Sequence, residues 1–394
     1  MANLTFEPSS MTYDPMQMWP NATDQPLLSI DTKTQQPTEK PGPYYWAAAD
    51  LERFQQWYEH GHGYCASIIC VLGIIANGLN IIVLTRKNMI SATNTILSAL
   101  AVADGLTMLA YFPFAILYYC LNDRNSWGVN QFLLFYVCFS VLAHSISIWL
   151  TVTLAIFRYL FIRYPRHGQT LCSIERAKLS IILVFFATLL VCIPNFMGHN
   201  VKTMRDENNE TMYIMSGRQD SYFYEIIGRV NFWMISVLVK LFPCFLLIVL
   251  SILLIRCMQE AELRRKNLRK QARPNSKDGD TSRDRKTNRT TRMLLTVVIL
   301  FVICELPQGI VGLLVGILGN QFNIEIYYPL GEVFDIIALL NNGINFILYC
   351  TMSKQFRDTF VILFFKPLRL GGSTRGRFSL VPNHSSSITK TTDL

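Results

Sequence analysis

Seven stretches of the chain run apolar, and polar or charged segments separate them. They are Cys65–Leu84, Thr95–Leu121, Gln131–Phe157, Leu179–Met197, Val230–Ile255, Met293–Leu318 and Tyr327–Tyr349. Each is close to the roughly 20 apolar residues that a helix needs to cross a bilayer core. None alternates in the runs of about ten residues typical of a barrel strand, so helices are what satisfy the backbone in lipid. The pattern predicts an all-α membrane protein with seven transmembrane helices. After the last span, Met352 to Phe360 has the spacing of a short amphipathic helix on the inner membrane surface.

Composition supports this. Of 394 residues, 51% are hydrophobic and only 16% charged, against about 25% charge in soluble domains. A disordered chain, a collagen-like chain and an ordinary cytosolic enzyme are excluded. The net charge of +9 sits in short blocks between the apolar runs, which argues against a nucleic-acid partner. Residues 256–292 hold 13 Lys/Arg against 5 Asp/Glu, and further basic residues follow spans one, three and seven. Those segments share one side, which the positive-inside rule makes cytoplasmic. Residues 1–62 carry 8 acids against 3 Lys/Arg, so the N-terminus is expected outside and the protein at the plasma membrane.

Three parts follow: an extracellular, glycosylated, weakly ordered segment 1–62, a membrane domain 63–365 with an inner loop near 257–290, and a disordered cytoplasmic tail 366–394. No secretory leader is expected, because residues 1–30 have no apolar core. Asn3, Asn21 and Asn209 open glycosylation sequons on the predicted outer side. No internal repeat is visible, which counts against a transporter, and no HExxH or GxSxG motif suggests an enzyme.

Polar groups at membrane depth are functional candidates. Asp104 in span two, Ser147 in span three, and Asn341 and Asn345 in span seven form an oxygen-rich set. It suits a sodium ion or plain interhelical hydrogen bonding. Phe157-Arg158-Tyr159 closes span three, where an Arg also fits simple snorkelling. Pro243 and Pro307 predict kinks. Cys65 and Cys120 both fall near the outer face and are a candidate disulfide. The chain ends Thr392-Asp393-Leu394, a pattern that suits PDZ-domain binding, and nearby Ser/Thr residues offer phosphorylation sites for arrestin recruitment.

The ordered set Asn77, Leu100-x3-Asp104, Arg158-Tyr159, Pro243, Pro307 and Asn345-x3-Tyr349 resembles the rhodopsin-like (class A) G-protein-coupled receptors across residues 65–365. Finer stretches include His144-Ser-Ile-Ser-Ile-Trp-Leu-Thr-Val-Thr-Leu-Ala155 and Glu305-Leu-Pro-Gln-Gly-Ile310. They resemble the myosuppressin and FMRFamide-related peptide receptors, with the sex-peptide and myoinhibitory-peptide receptors as neighbours. The chain departs from the wider family at Phe157, Glu305, Phe346 and Leu133, where an acid, a tryptophan, a proline and the disulfide cysteine usually stand.

The resemblance implies a receptor for a C-terminally amidated peptide, coupled to a heterotrimeric G protein, by expectation of the inhibitory Gi/o type, with no enzymatic activity and no cofactor unless sodium acts as an allosteric ion. A myoinhibitory-type peptide is the alternative ligand. It implies that His144, about four helical turns before Arg158, faces Glu305, with Lys240 joining them in a buried polar cluster. The bland alternative is a snorkelling Lys240 and a protonated Glu305. Asp335 and Glu332 share one face of span seven, and Asp335 comes first as the carboxylate for a ligand guanidinium. Tyr111, Phe112, Tyr118, Tyr327 and Ser140 are candidate ligand contacts, although each aromatic fits a core or lipid-facing role equally well. Ile148, Pro243 and Phe301 form the implied switch below the pocket, with Phe157, Arg158, Tyr159, Pro307, Asn345 and Tyr349 carrying the change inward.

Overall fold

The computed structural model describes residues 45–365 apart from 165, 206–208, 219 and 272–278, and not the side chains at 45–47, 262, 265–294 and 320. Span one is Tyr45–Leu84, span two Ala92–Phe114 with a π-helical continuation Ala115–Cys120, span three Trp127–Arg163 and span four Ile174–Val191. Span five runs through Tyr222–Trp233, a π stretch Met234–Leu241 and Phe242–Gln271. Span six is Gly279–Leu318, span seven Gly331–Met352, and a surface helix Lys354–Phe364 follows. Six of these are long and apolar enough to cross a membrane. Span four is the other one: its 18 residues include Glu175, Arg176 and Lys178. The fold is a seven-transmembrane helix bundle.

Local sequence sets where the helices begin. Ser91, Ser126, Ser173 and Ser353 each accept a hydrogen bond from the backbone N–H three residues on, a cap worth about 1 kcal/mol apiece. Pro243 has no N–H to return to the preceding turn, and the π stretch Met234–Leu241 ends just before it. A π stretch carries an extra residue per turn and re-aims its side chains; Lys240 lies on this one.

Two strands that the apolar pattern does not predict, β1 (His199–Arg205) and β2 (Thr211–Gly217), form an antiparallel hairpin between spans four and five. It marks one end of the bundle, and the basic segments mark the other. Among the described residues the buried core falls into three clusters. Near the hairpin lie Tyr111, Phe114, Tyr118, Leu133, Met215 and Leu339. Between spans three, five and six lie Ile148, Val152, Leu247, Val298 and Phe301. At the basic end Leu97, Leu154, Phe157 and Tyr349 pack with Phe356 of the surface helix. There Asn88 donates to Thr359 Oγ1 at 2.8 Å, and Gln355 donates to the Asn88 carbonyl at 2.6 Å. Spans one and seven are tied by Asn77, which donates to the Asn342 carbonyl at 3.0 Å.

One expectation is corrected and two candidate features are refined. Residues 45–62 are helical rather than weakly ordered. Their rings sit four residues apart, Phe54 on Tyr58 and Tyr58 on His62, each pair with centroids 5.6 Å apart. That is a neighbour spacing on a helix which a count of apolar residues overlooks. The inner loop near 257–290 is mostly helix, since span five extends to Gln271 and span six starts at Gly279. Glu, Leu, Arg, Lys and Gln dominate its first half, and all are strong helix formers. Cys65 and Cys120 are not joined: all ten cysteines are free. Asn3, Asn21 and Thr392-Asp393-Leu394 lie outside the described residues, whereas Asn209 is exposed at the hairpin turn.

Candidate functional site

The hairpin end of the bundle holds an acid among tyrosines. Tyr111, 3% exposed, donates its hydroxyl to Asp335 Oδ2 at 3.1 Å, joining spans two and seven. Tyr111 also meets His62 Nε2 at 2.9 Å. Tyr136 stacks on Phe114 with centroids 4.6 Å apart and meets the Tyr111 ring edge-on at 5.7 Å. Of the other candidates, Phe112 and Ser140 are half-buried, Tyr118 is buried, Tyr327 sits against Phe334, and Glu332 lies one turn before Asp335. His62, 0% exposed, was not a candidate from sequence. Its signal is the ring ladder from Phe54 through Tyr58.

Deeper in the bundle, Glu305 is 1% exposed. Its Oε2 meets His144 Nε2 at 3.2 Å and accepts from Lys240 Nζ at 3.5 Å. Lys240 also donates to Gln308, a partner missed in the sequence. Spans three, five and six therefore meet at one buried carboxylate, at the place where helical spacing and the resemblance put it.

Below, Asp104 is 1% exposed and its two oxygens accept from Ser147 Oγ at 2.5 Å and Asn345 Nδ2 at 3.0 Å. Asn341 is half-buried and adds no hydrogen bond among the described residues. Ile148 and Phe301 share a buried cluster with Cys244, the neighbour of the buried Pro243. Pro307 faces outward within an unbroken helix, while Tyr349 and Phe157 are packed at the basic end. Tyr159 is half-buried. Arg158 pairs with no acid among the described residues, and its Nε is buried without an acceptor.

The hairpin is held to the bundle without a disulfide. Asn130, 2% exposed, accepts from the Met215 backbone N–H at 2.8 Å and donates to the Arg124 and Ser126 carbonyls at 2.8 and 3.0 Å. Tyr213 N–H donates to the Asn125 carbonyl at 3.1 Å. Arg124 pairs with Glu59 of span one and lies 4.4 Å from the Tyr118 ring centroid. Burial acts to lower the Arg124 pKa, but Tyr118 and Glu59 outweigh it and hold the value above that of an ordinary arginine.

The model of the Srw class of serpentine seven-transmembrane G-protein-coupled chemoreceptors matches residues 64–367. The chain is 29% identical to the G-protein coupled receptor dmsr-1 of Caenorhabditis elegans, covering 77% of this chain and 68% of that one. It is 28% identical to the sex peptide receptor of Drosophila melanogaster, covering 84% and 78%. It is 23% identical to the FMRFamide receptor of the same fly, covering 77% and 54%.

Proposed function

The chain belongs to the serpentine seven-transmembrane G-protein-coupled receptor family, and from that premise we propose that it is a neuropeptide receptor whose ligand ends in an arginine and an amidated aromatic residue. The observation that carries this is Asp335, a carboxylate among tyrosines at the hairpin end, with Tyr111 already fixing one oxygen. A guanidinium is planar and recognises a carboxylate through paired N–H donors. Arg-Phe-amide supplies one, and the surrounding rings offer faces to its aromatic residue. A likeness to receptors named for FMRFamide and sex peptide supports a peptide ligand. The likeness to the sex peptide receptor favours a second reading, in which the ligand is a peptide of another class.

In this reading the hairpin end faces outside at the plasma membrane and the basic end meets the G protein, of the inhibitory Gi/o type. Arrestin and a PDZ-domain protein would engage the tail. Ligand binding and G-protein binding both favour one of two bundle states, with the His144–Lys240–Glu305 cluster between the two sites. Asp104, Ser147, Asn341 and Asn345 would hold a sodium ion. Its donor set of carboxylate, hydroxyl and amide oxygens suits that hard cation, which would stabilise one bundle state.

The test is a screen of amidated peptides on transfected cells with G-protein activation as readout. Asp335→Asn is expected to weaken Arg-Phe-amide peptides about 10- to 30-fold, as for loss of a charge-assisted hydrogen bond, and Glu332→Gln less. Unchanged potency in both variants removes the arginine assignment and leaves the second peptide class.

A further prediction arises at the basic end. With Phe157 before it and no acid on Arg158 among the described residues, we propose that the inactive bundle lacks an ionic latch. Basal G-protein activation should exceed that of mock-transfected cells, and Phe157→Asp, which places an acid next to Arg158, should lower it. Basal signal at background in well-expressed receptor counts against this.

A further inference from the structure

We infer that His62 is a positioning residue for the ligand-binding carboxylate: through Tyr111 it sets how Asp335 meets a guanidinium. This rests on the assignment of Asp335 to the peptide's arginine made above. Paired with a guanidinium, Asp335 is a carboxylate that can only accept hydrogen bonds, so the Tyr111 hydroxyl donates its proton to Asp335 Oδ2. The oxygen of Tyr111 is then left to accept, and the proton on the 2.9 Å contact to His62 belongs to Nε2. The direction of the relay thus fixes the imidazole tautomer. It leaves His62 Nδ1 as a bare lone pair, and that atom has no partner among the described residues. A histidine held only for structure generally has its polar atoms satisfied. Here the single hydrogen bond it makes is aimed at the tyrosine that touches the acid.

The ring is also held rigidly. His62 is 0% exposed, with Tyr119 edge-on at 4.6 Å and Tyr58 tilted at 5.6 Å. The neighbouring Gly63 brings span one against the π stretch of span two so closely that a Cβ there would lie 2.5 Å from Tyr119 Cβ. A fixed imidazole fixes the Tyr111 hydroxyl, and a fixed hydroxyl fixes the plane of the Asp335 carboxylate. Paired N–H recognition of arginine depends on that plane, whereas a lysine ammonium, being a point charge, does not.

The experiment uses full-length receptor with surface expression measured for each variant, and an Arg-Phe-amide peptide beside its Lys-for-Arg analogue. His62→Ala is expected to reduce potency for the arginine peptide about 10-fold, as for a lost hydrogen bond to a charged site, and to shrink the arginine-over-lysine ratio. His62→Gln keeps an N–H donor and should restore most of both. Tyr111→Phe removes only the hydroxyl and should reproduce the loss, so it carries the test if His62→Ala fails to reach the surface. In an Asp335→Asn background His62→Ala should add nothing, because residues acting through one group are non-additive. Full additivity there, or an unchanged arginine-over-lysine ratio in Tyr111→Phe, overturns the inference while the Asp335 assignment stands. Unchanged potency in Asp335→Asn alone overturns both.

Discussion

Glu305→Gln is expected to destabilise the receptor by about 3–5 kcal/mol, because removing one member of a buried ion pair leaves the other charge uncompensated. Glu305 is 1% exposed and its Oε2 meets both His144 and Lys240. The amide that replaces it is no counter-charge for Lys240, which keeps only Gln308 among the described residues. The loss should show as a lower melting temperature of detergent-solubilised receptor and a smaller surface fraction. Replacing both partners separates pairing from burial. Glu305→Leu with Lys240→Met should recover much of the lost stability, since swapping a buried pair for apolar groups is often neutral or better. A Glu305→Gln receptor melting with the wild type would favour the bland alternative, in which Glu305 carries a proton and Lys240 turns to solvent. The same cluster links spans three, five and six below the proposed peptide site, so the double variant should keep peptide binding better than it keeps signalling.

The apolar runs were enough to specify the bundle, because lipid demands that backbone hydrogen bonds close within a helix. Long-range polar pairs were legible where helical spacing and the resemblance set the depth of both partners. Asp104 with Ser147 and Asn345, and His144 with Glu305, meet in the structure as that depth requires. What lies beyond the membrane was not legible. The hairpin β1–β2 has a mixed, part-exposed pattern, and its strands owe their place to Asn130 and Asn125 together with the packing of Met215. Span one continues to Tyr45 through a polar segment whose aromatic ladder makes sense only as a helix. His62 is one such residue: its role depends on where the π stretch Ala115–Cys120 puts Tyr119, and no local pattern announces that. Glu59 and Arg124 are 65 positions apart, and their pairing follows from the same packing. Gln308 was missed because a neutral side chain beside Lys240 carries no signal until the π stretch aims the lysine toward it.

The hairpin should stay in place under reducing conditions and loosen when a single amide is removed. All ten cysteines are free, so dithiothreitol should leave the peptide response of wild-type receptor unchanged. Asn130 holds the roof by three hydrogen bonds, one to the Met215 N–H and two to the carbonyls of Arg124 and Ser126. In Asn130→Ala the Met215 N–H is left buried without an acceptor, at a cost of about 1–3 kcal/mol, with a further contribution from the two carbonyls. Local opening governs amide exchange, so hydrogen exchange across residues 199–217 should quicken by about 10- to 100-fold, the factor that such a cost implies. A wild-type response that falls on reduction would mean a covalent tie exists after all. Exchange unchanged in Asn130→Ala would mean the roof is held by Tyr213 on Asn125 and by Met215 packing on Leu133. In the expected case, the hairpin rests on neutral hydrogen bonds buried beside an arginine that Glu59 anchors, and its closure is set by packing and polarity instead of by thiol redox state.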